Sequence, residues 1–339
     1  MKLSILDQSP IAKGRTAKDA LNETEELANL AERWGFHRFW VSEHHDSGAL
    51  AGTSPEILLA RLGAKTSTIR IGSGGVMLPH YSPFKTAENF RMLEALYPGR
   101  VDLGIGRAPG GMPVASWALS EGRPRNASRF PQQVDHLLMY LRDQADETHP
   151  YPNVQAGPVI DTVPPVWILG SSPGSAALAA EKGLPYTFAH FINGDGGRDY
   201  MAEYLTGFTP GVQAEKPQNM AAVFVVCADT EAKAEYIAKS FDLSLLMLLK
   251  GEKSSGTPSP SEAEKIELSN FEAEQIKENR KRMIVGTPDL VREQLQQFAA
   301  DYQTDEVMIV TITYDQDDRF RSYELIQSLG LHEKRSPDS

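Results

Sequence analysis

Short, unbroken apolar runs alternate along the chain with longer stretches whose apolar residues return every three or four positions. A short run that is apolar throughout reads as a strand covered on both faces. The 3.6-residue return reads as an amphipathic helix. On this basis strands are expected at 3–6, 38–42, 69–77, 100–106, 166–170, 186–189, 219–227 and 306–311. Helices are expected at 17–34, 54–65, 83–96, 126–143, 175–182, 197–205, 231–249 and 316–329. In the first helix Ala20, Leu21, Leu27, Leu30, Ala31 and Trp34 carry the period, and Ser54-Pro55 is a helix start with proline at the first helical position. Eight strands, each followed by a helix, predict an α/β fold closed as a (β/α)8 TIM barrel with insertions. A doubly wound open sheet is the alternative.

Two segments break the rhythm. Residues 108–125 are rich in Gly, Pro and Arg, and residues 251–261 read GEKSSGTPSPS. The chain is expected to be one barrel domain over residues 1–339, with residues 251–275 inserted as a mobile lid. Long loops in compact domains are commonly functional or disordered. A plain flexible linker is the other reading.

Composition narrows the partners. Of the 339 residues 41% are hydrophobic and 23% charged, an ordinary balance for a globular protein. A net charge of −11 argues against nucleic acid or an anionic membrane as partner, since both reward clustered Lys and Arg. The one cysteine, Cys227, excludes an intrachain disulfide and a thiolate zinc cluster. The chain starts directly into a strand-like segment and holds no apolar run of about 18 residues, so a cytoplasmic protein is expected.

In a barrel of this kind the residues after each strand face one shared pocket. Asp7, Gln8 and Ser9 follow the first strand, and Glu43, His44 and His45 the second. Gly74, Gly75 and Leu78-Pro79-His80 end the third, and Arg107 follows the fourth. Ser171, Ser172, Gly174 and Ser175 follow the fifth and His190 the sixth. A strand running into GSSPGS and then an alanine-rich helix offers unpaired N–H groups and hydroxyls to an anion. Arg107, on the neighbouring strand, could pair with the same phosphate. An ordinary capped helix and a surface ion pair are the plain readings of these two features. Gly74 and Gly75 leave room for a flat ligand, or form a bulge that lets the barrel close. In WVSEHHDS neighbouring side chains of an extended chain point to opposite sides, so His44 and His45 do not easily share a metal, and none is expected. One inward histidine acting as acid or base fits better, with a structural rim histidine as the alternative.

The segments LSILDQSP, GFHRFWVSEHHD, IRIGSGGVMLPHYSPFKTAENFRMLEALYPGRVDLGIGRAPG, VWILGSSPGSAALAAEKGLPYTFAHF and IVGTPDLVREQLQQF, in this order across nearly the whole chain, resemble the bacterial luciferase-like flavin-dependent monooxygenases, in particular their alkanal monooxygenase-like branch. The resemblance implies a barrel that binds FMN, supplied in reduced form by a separate flavin reductase, and reacts with O2 and a small-molecule substrate. It implies that Glu43 and His44 border the flavin ring, with His44 as acid–base group. It places Gly74 and Gly75 against the ring, often with a cis peptide between them. Arg107, Ser172, Gly174 and Ser175 would hold the phosphate, with Ser171 where relatives carry an acid, and His190 would lie beside the ring. It also implies a homodimer through early barrel helices. Gly106 stands where light-emitting members carry a cysteine, and His190 where tryptophan is common; both speak against light emission. The expected activity is oxygenation of a small organic substrate, first an aldehyde. A deazaflavin-dependent hydride-transfer oxidoreductase, a non-catalytic flavin-binding protein and a metal hydrolase are the alternatives.

Overall fold

A computed structural model describes residues 1–331 apart from 124–125, 145–146, 148 and 253. Pro124 and Arg125 of the first insertion, Lys253 of the second and residues 332–339 of the expected domain therefore lie outside the described residues. The strands are β1 (Lys2–Asp7), β2 (Arg38–Val41), β3 (Arg70–Met77), β4 (Val101–Gly106), β5 (Val166–Gly170), β6 (Tyr186–Ala189), β7 (Asn219–Cys227), β8 (Met283–Gly286) and β9 (Glu306–Val310). All pairings between them are parallel. β1 to β7 follow one another around the sheet, β9 sits between β7 and β1, and the barrel is closed. The eight expected strands are present and the open-sheet alternative is excluded.

β8 is an addition that the hydrophobic pattern does not announce. It pairs with the second half of β7, Phe224 to Met283 and Cys227 to Gly286. β6 pairs with the first half, Tyr186 to Asn219 and Ala189 to Ala222. β9 holds the other flank of β7, so β8 continues the line that β6 leaves at Ala189. Helices Pro113–Leu119, Asn270–Arg280 and Pro288–Asp301 are likewise additional.

Alternation along the strands sorts the two faces. Leu3, Ile5, Phe39, Val41, Ile71, Leu103 and Ile105 face the helical layer and are fully or nearly fully buried there. The inner face is polar at the N-terminal end of the barrel. Arg38 pairs with Asp102 (2.7 Å) and Glu306 (2.9 Å), while the Ser4 hydroxyl donates to Glu306 and the Trp40 indole N–H to Asp102. Each charge removed from water here has a partner, as buried charges require. Above this plug Leu6, Trp40, Trp167, Met220, Phe224 and Met308 fill the interior.

Local signals account for the helices. Ala17–Trp34 starts where the Thr16 hydroxyl accepts from the Asp19 N–H while the Asp19 carboxylate accepts from the Thr16 N–H. It stops at Gly35, whose φ of 84° ends the helix in the left-handed region. The span expected to be a lid carries helix Pro260–Ala263 and the start of Asn270–Arg280. Before them the chain is fastened to the β1 loop: the Thr257 N–H donates to Ile11 O (2.7 Å) and the Lys13 N–H to Thr257 O (2.8 Å).

Candidate active site

β2 delivers its rim residues to two sides. Trp40 points into the barrel, and Ser42 and His44 follow it at intervals of two. The Ser42 hydroxyl lies 3.0 Å from His44 Nδ1, and the His44 N–H donates to Gly52 O (2.8 Å). His44 is half-buried; burial, helped by His45, pushes its pKa down to about 4. It is therefore a neutral imidazole at pH 7.

Glu43 goes the other way and is 1% exposed. Its Oε2 accepts from the Met77 N–H (3.0 Å). Its Oε1 accepts from the Tyr81 hydroxyl (2.8 Å) and lies 2.7 Å from His45 Nε2. So Glu43 pairs with His45, two residues on, and not with His44. The extended backbone at the strand end imposes this. The His45 N–H donates to Gly110 O (2.7 Å), which ties the loop after β4 to the loop after β2. Burial, then the Glu43 charge, push the Tyr81 pKa up, so the phenol stays a donor.

Next around the rim, the Gly74–Gly75 peptide is cis. A Cβ on Gly74 would lie 2.5 Å from Leu6, and one on Gly75 would lie 2.6 Å from the Gly104 carbonyl oxygen. The barrel's own packing thus requires a glycine at 75, where backbone is met, whereas at 74 the Leu6 side chain can give, and Gly74 remains partly open. Gly106 pairs with Leu169, so exposed Arg107 comes level with Gly170, one residue before Ser171. Helix Pro173–Lys182 starts here. The Ser172 N–H donates to Ser175 Oγ (3.4 Å), and Ser175 Oγ donates to Ser172 O (2.7 Å) and lies 3.1 Å from the Tyr186 hydroxyl. Ser175 thus holds the turn from inside. A Cβ on Gly174 would meet no atom within 4 Å, so this helix start is open to an anion. An exposed guanidinium level with a helix start that is open at Gly174 is a donor set that fits a phosphate.

His190 is set apart from these residues. Its Nδ1 lies 2.8 Å from the Tyr302 hydroxyl and its ring packs edge-on against Phe298 and Tyr302, in the helical layer. Burial lowers its pKa. It lines an outer cleft of about 520 Å³ with Arg198, Lys281, Gln294 and Asp301. Phe191, the next residue, packs against the barrel interior on Phe224. The side chain turned towards the barrel interior here is therefore that of Phe191 and not of His190; a shift of one residue in an extended segment changes the face. Tyr81 and the pairing of His45 with Glu43 were also not foreseen. Tyr81 directly follows LPH, but a single phenol in a loop gives no periodic signal. Among the described residues no group of three or more His, Cys, Asp or Glu is placed to hold a metal ion.

The C-terminal rim of a closed parallel barrel, where such folds gather their functional residues, here carries Arg107 after β4, an open helix start after β5 and Glu43, His44 and His45 after β2. The sequence pattern of the family described as luciferase-like monooxygenase matches residues 1–304, and the chain belongs to that family of flavin-dependent oxidoreductases. It is 54% identical to the uncharacterized protein YwcH of Bacillus subtilis (strain 168), over 96% of this chain and 98% of that one. It is 37% identical to the N-acetyl-S-alkylcysteine monooxygenase of the same organism, over 99% and 100%. Among solved structures, apo-MsnO8 superposes with a TM-score of 0.89 at 38% identity, covering 98% of this chain and 99% of that one. Two more distant structures share the fold. The oxygenating constituent of 3,6-diketocamphane monooxygenase from Pseudomonas putida, in complex with FMN, has a TM-score of 0.72 at 20% identity, over 99% of each chain. An F420-dependent secondary alcohol dehydrogenase has 0.71 at 14%, over 97% and 98%.

Proposed function

We propose that the chain is an FMN-dependent monooxygenase that oxygenates a small organic substrate with O2. The observation that carries this reading is the alignment of Arg107 with the open start of helix Pro173–Lys182, a phosphate-binding arrangement on the rim that also carries His44. Arg107, the Gly174 N–H and the Ser171 and Ser172 hydroxyls would hold the phosphate, and partly open Gly74 would lie beside the ring. Reduced FMN, supplied by a separate reductase, would provide two electrons so that one atom of O2 enters the substrate and the other leaves as water.

The chain's own part is positioning and proton handling. His44, neutral at pH 7, accepts or returns a proton within the mouth, with Ser42 fixing its ring. Leu169 and Phe191, lying against the apolar interior cluster, exclude water. The substrate class is proposed to be aldehydes, and the name of the 37%-identical relative adds S-alkyl thioethers.

The test is an anaerobic titration with reduced FMN, followed by turnover under ¹⁸O2 with both substrate classes. Micromolar binding and one ¹⁸O atom in the product are expected. Turnover with F420 in the absence of oxygen, and no reaction with reduced FMN, would replace this reading with hydride transfer.

A further inference from the structure

Glu43 is a carboxyl group almost fully withdrawn from water. Three donors hold it: the Met77 N–H on Oε2, and Tyr81 Oη–H with His45 Nε2 on Oε1. The last two are themselves 3.4 Å apart. We propose that Tyr81 is a positioning residue: its hydroxyl pins the Glu43 carboxylate so that His45 keeps its proton on Nε2 and Nδ1 becomes the basic atom of the ring.

The protonated phenol gives its hydrogen to Oε1 at 2.8 Å rather than to His45 Nε2 at 3.4 Å, and Oε1 accepts from His45 with its second lone pair. A carboxylate on one ring nitrogen selects the tautomer that donates to it and leaves the other nitrogen basic. No hydrogen bond of His45 Nδ1 is found among the described residues; the His80 ring stands 6.3 Å from the His45 ring, edge to face. The same pin also reaches the cofactor side. The His45 backbone holds Gly110, three residues after Arg107, and His80 Nε2 lies 2.9 Å from Pro109 O. Tyr81 therefore joins the loops after β2, β3 and β4 through one buried oxygen. The catalytic meaning of this arrangement rests on the flavin-dependent reading above; the tautomer does not.

The experiment uses the full chain labelled with ¹⁵N-histidine. With eight histidines, the His45 ring signals are assigned by their loss in His45→Gln. In the wild type at pH 7, long-range ¹H–¹⁵N correlations should place the His45 proton on Nε2. In Tyr81→Phe they should move towards a tautomer mixture, and kcat/KM for the oxygenated substrate should fall about tenfold while the Kd for reduced FMN changes less than about threefold. Glu43→Gln should reproduce the spectral change. An Nδ1 proton in the wild type overturns the proposal without any variant, so it stays testable if Tyr81→Phe fails to fold. An unchanged tautomer in a folded Tyr81→Phe also overturns it. A wild type that turns over no substrate, with the tautomer change still seen in Tyr81→Phe, removes the functional reading and leaves the positioning role standing.

Discussion

His44 and Arg107 are where single side chains make the sharpest predictions. Burial holds the His44 pKa near 4, against 6.5 in an unfolded chain. Between these values the unfolded chain binds a proton that the native one does not. The sign is therefore fixed: this residue's contribution to stability is present above pH 6.5 and is lost as the pH falls towards 4. His44→Gln, which does not titrate, should lose less stability than wild type between pH 7 and pH 4.5, as read by urea melts at each pH. The same side chain serves the proposed chemistry. His44→Ala should keep its affinity for FMN and lose about a hundredfold or more in turnover, within the usual range for a proton-transfer residue. Full turnover in that variant would end the assignment. Arg107→Ala should do the converse, weakening FMN binding about tenfold to a hundredfold with the fold intact. Lysine should restore only part of it, because it lacks the planar fork that meets a phosphate with two bonds. Fluorescence titration of the flavin distinguishes the cases.

Two features of the elements can be tested by adding a single methyl group. A Cβ at Gly75 would press on the backbone of Gly104, on the neighbouring strand β4, which cannot swing aside as a side chain can. Gly75→Ala should cost about 1–3 kcal/mol in a urea melt, the usual range for overpacking. At Gly256, φ is +123° and a Cβ would lie 2.7 Å from the Lys13 nitrogen. Gly256→Ala should loosen the strap that Thr257 fastens to the β1 loop. Faster proteolytic nicking within residues 251–259, with an unchanged melting midpoint, would show that the strap opens independently of the barrel. What the sequence revealed of these elements follows from their length and periodicity. The eight barrel strands carry apolar runs long enough to be read. β8 does not: Ile284 and Val285 follow the charged stretch 277–282, and their strand partners are distant in sequence. At the site the positions after each strand were legible because barrel geometry dictates them. The direction of each side chain was not. The pairing of Glu43 with His45, and the turn of Phe191 rather than His190 towards the interior, depend on a two-residue alternation that one irregular residue can shift.

At the scale of the molecule, the described residues include no helix long and apolar enough to cross a membrane, yet large apolar side chains remain in water. Helices Pro55–Lys65 and Pro83–Leu96 pack side by side. They expose Ile57 (72%), Met92 (56%) and Leu96 (56%), the last two one helical turn apart. A second apolar group, Leu248 and Leu249, closes the long helix Glu231–Leu249. We propose that the first patch is the contact of a homodimer, since both helices can meet their symmetry mates to form a self-complementary face. A stable contact needs roughly 1,000 Å² or more in total, and two adjacent helices of this length can supply it. Light scattering should then give twice the 37.3 kDa chain mass at micromolar concentration. The double variant Met92→Asp/Leu96→Asp should shift it to the single mass with its circular dichroism unchanged. Leu248→Asp/Leu249→Asp should leave the dimer intact. A reversal of these two results would move the interface to the end of helix Glu231–Leu249; a single mass in the wild type would remove the dimer altogether.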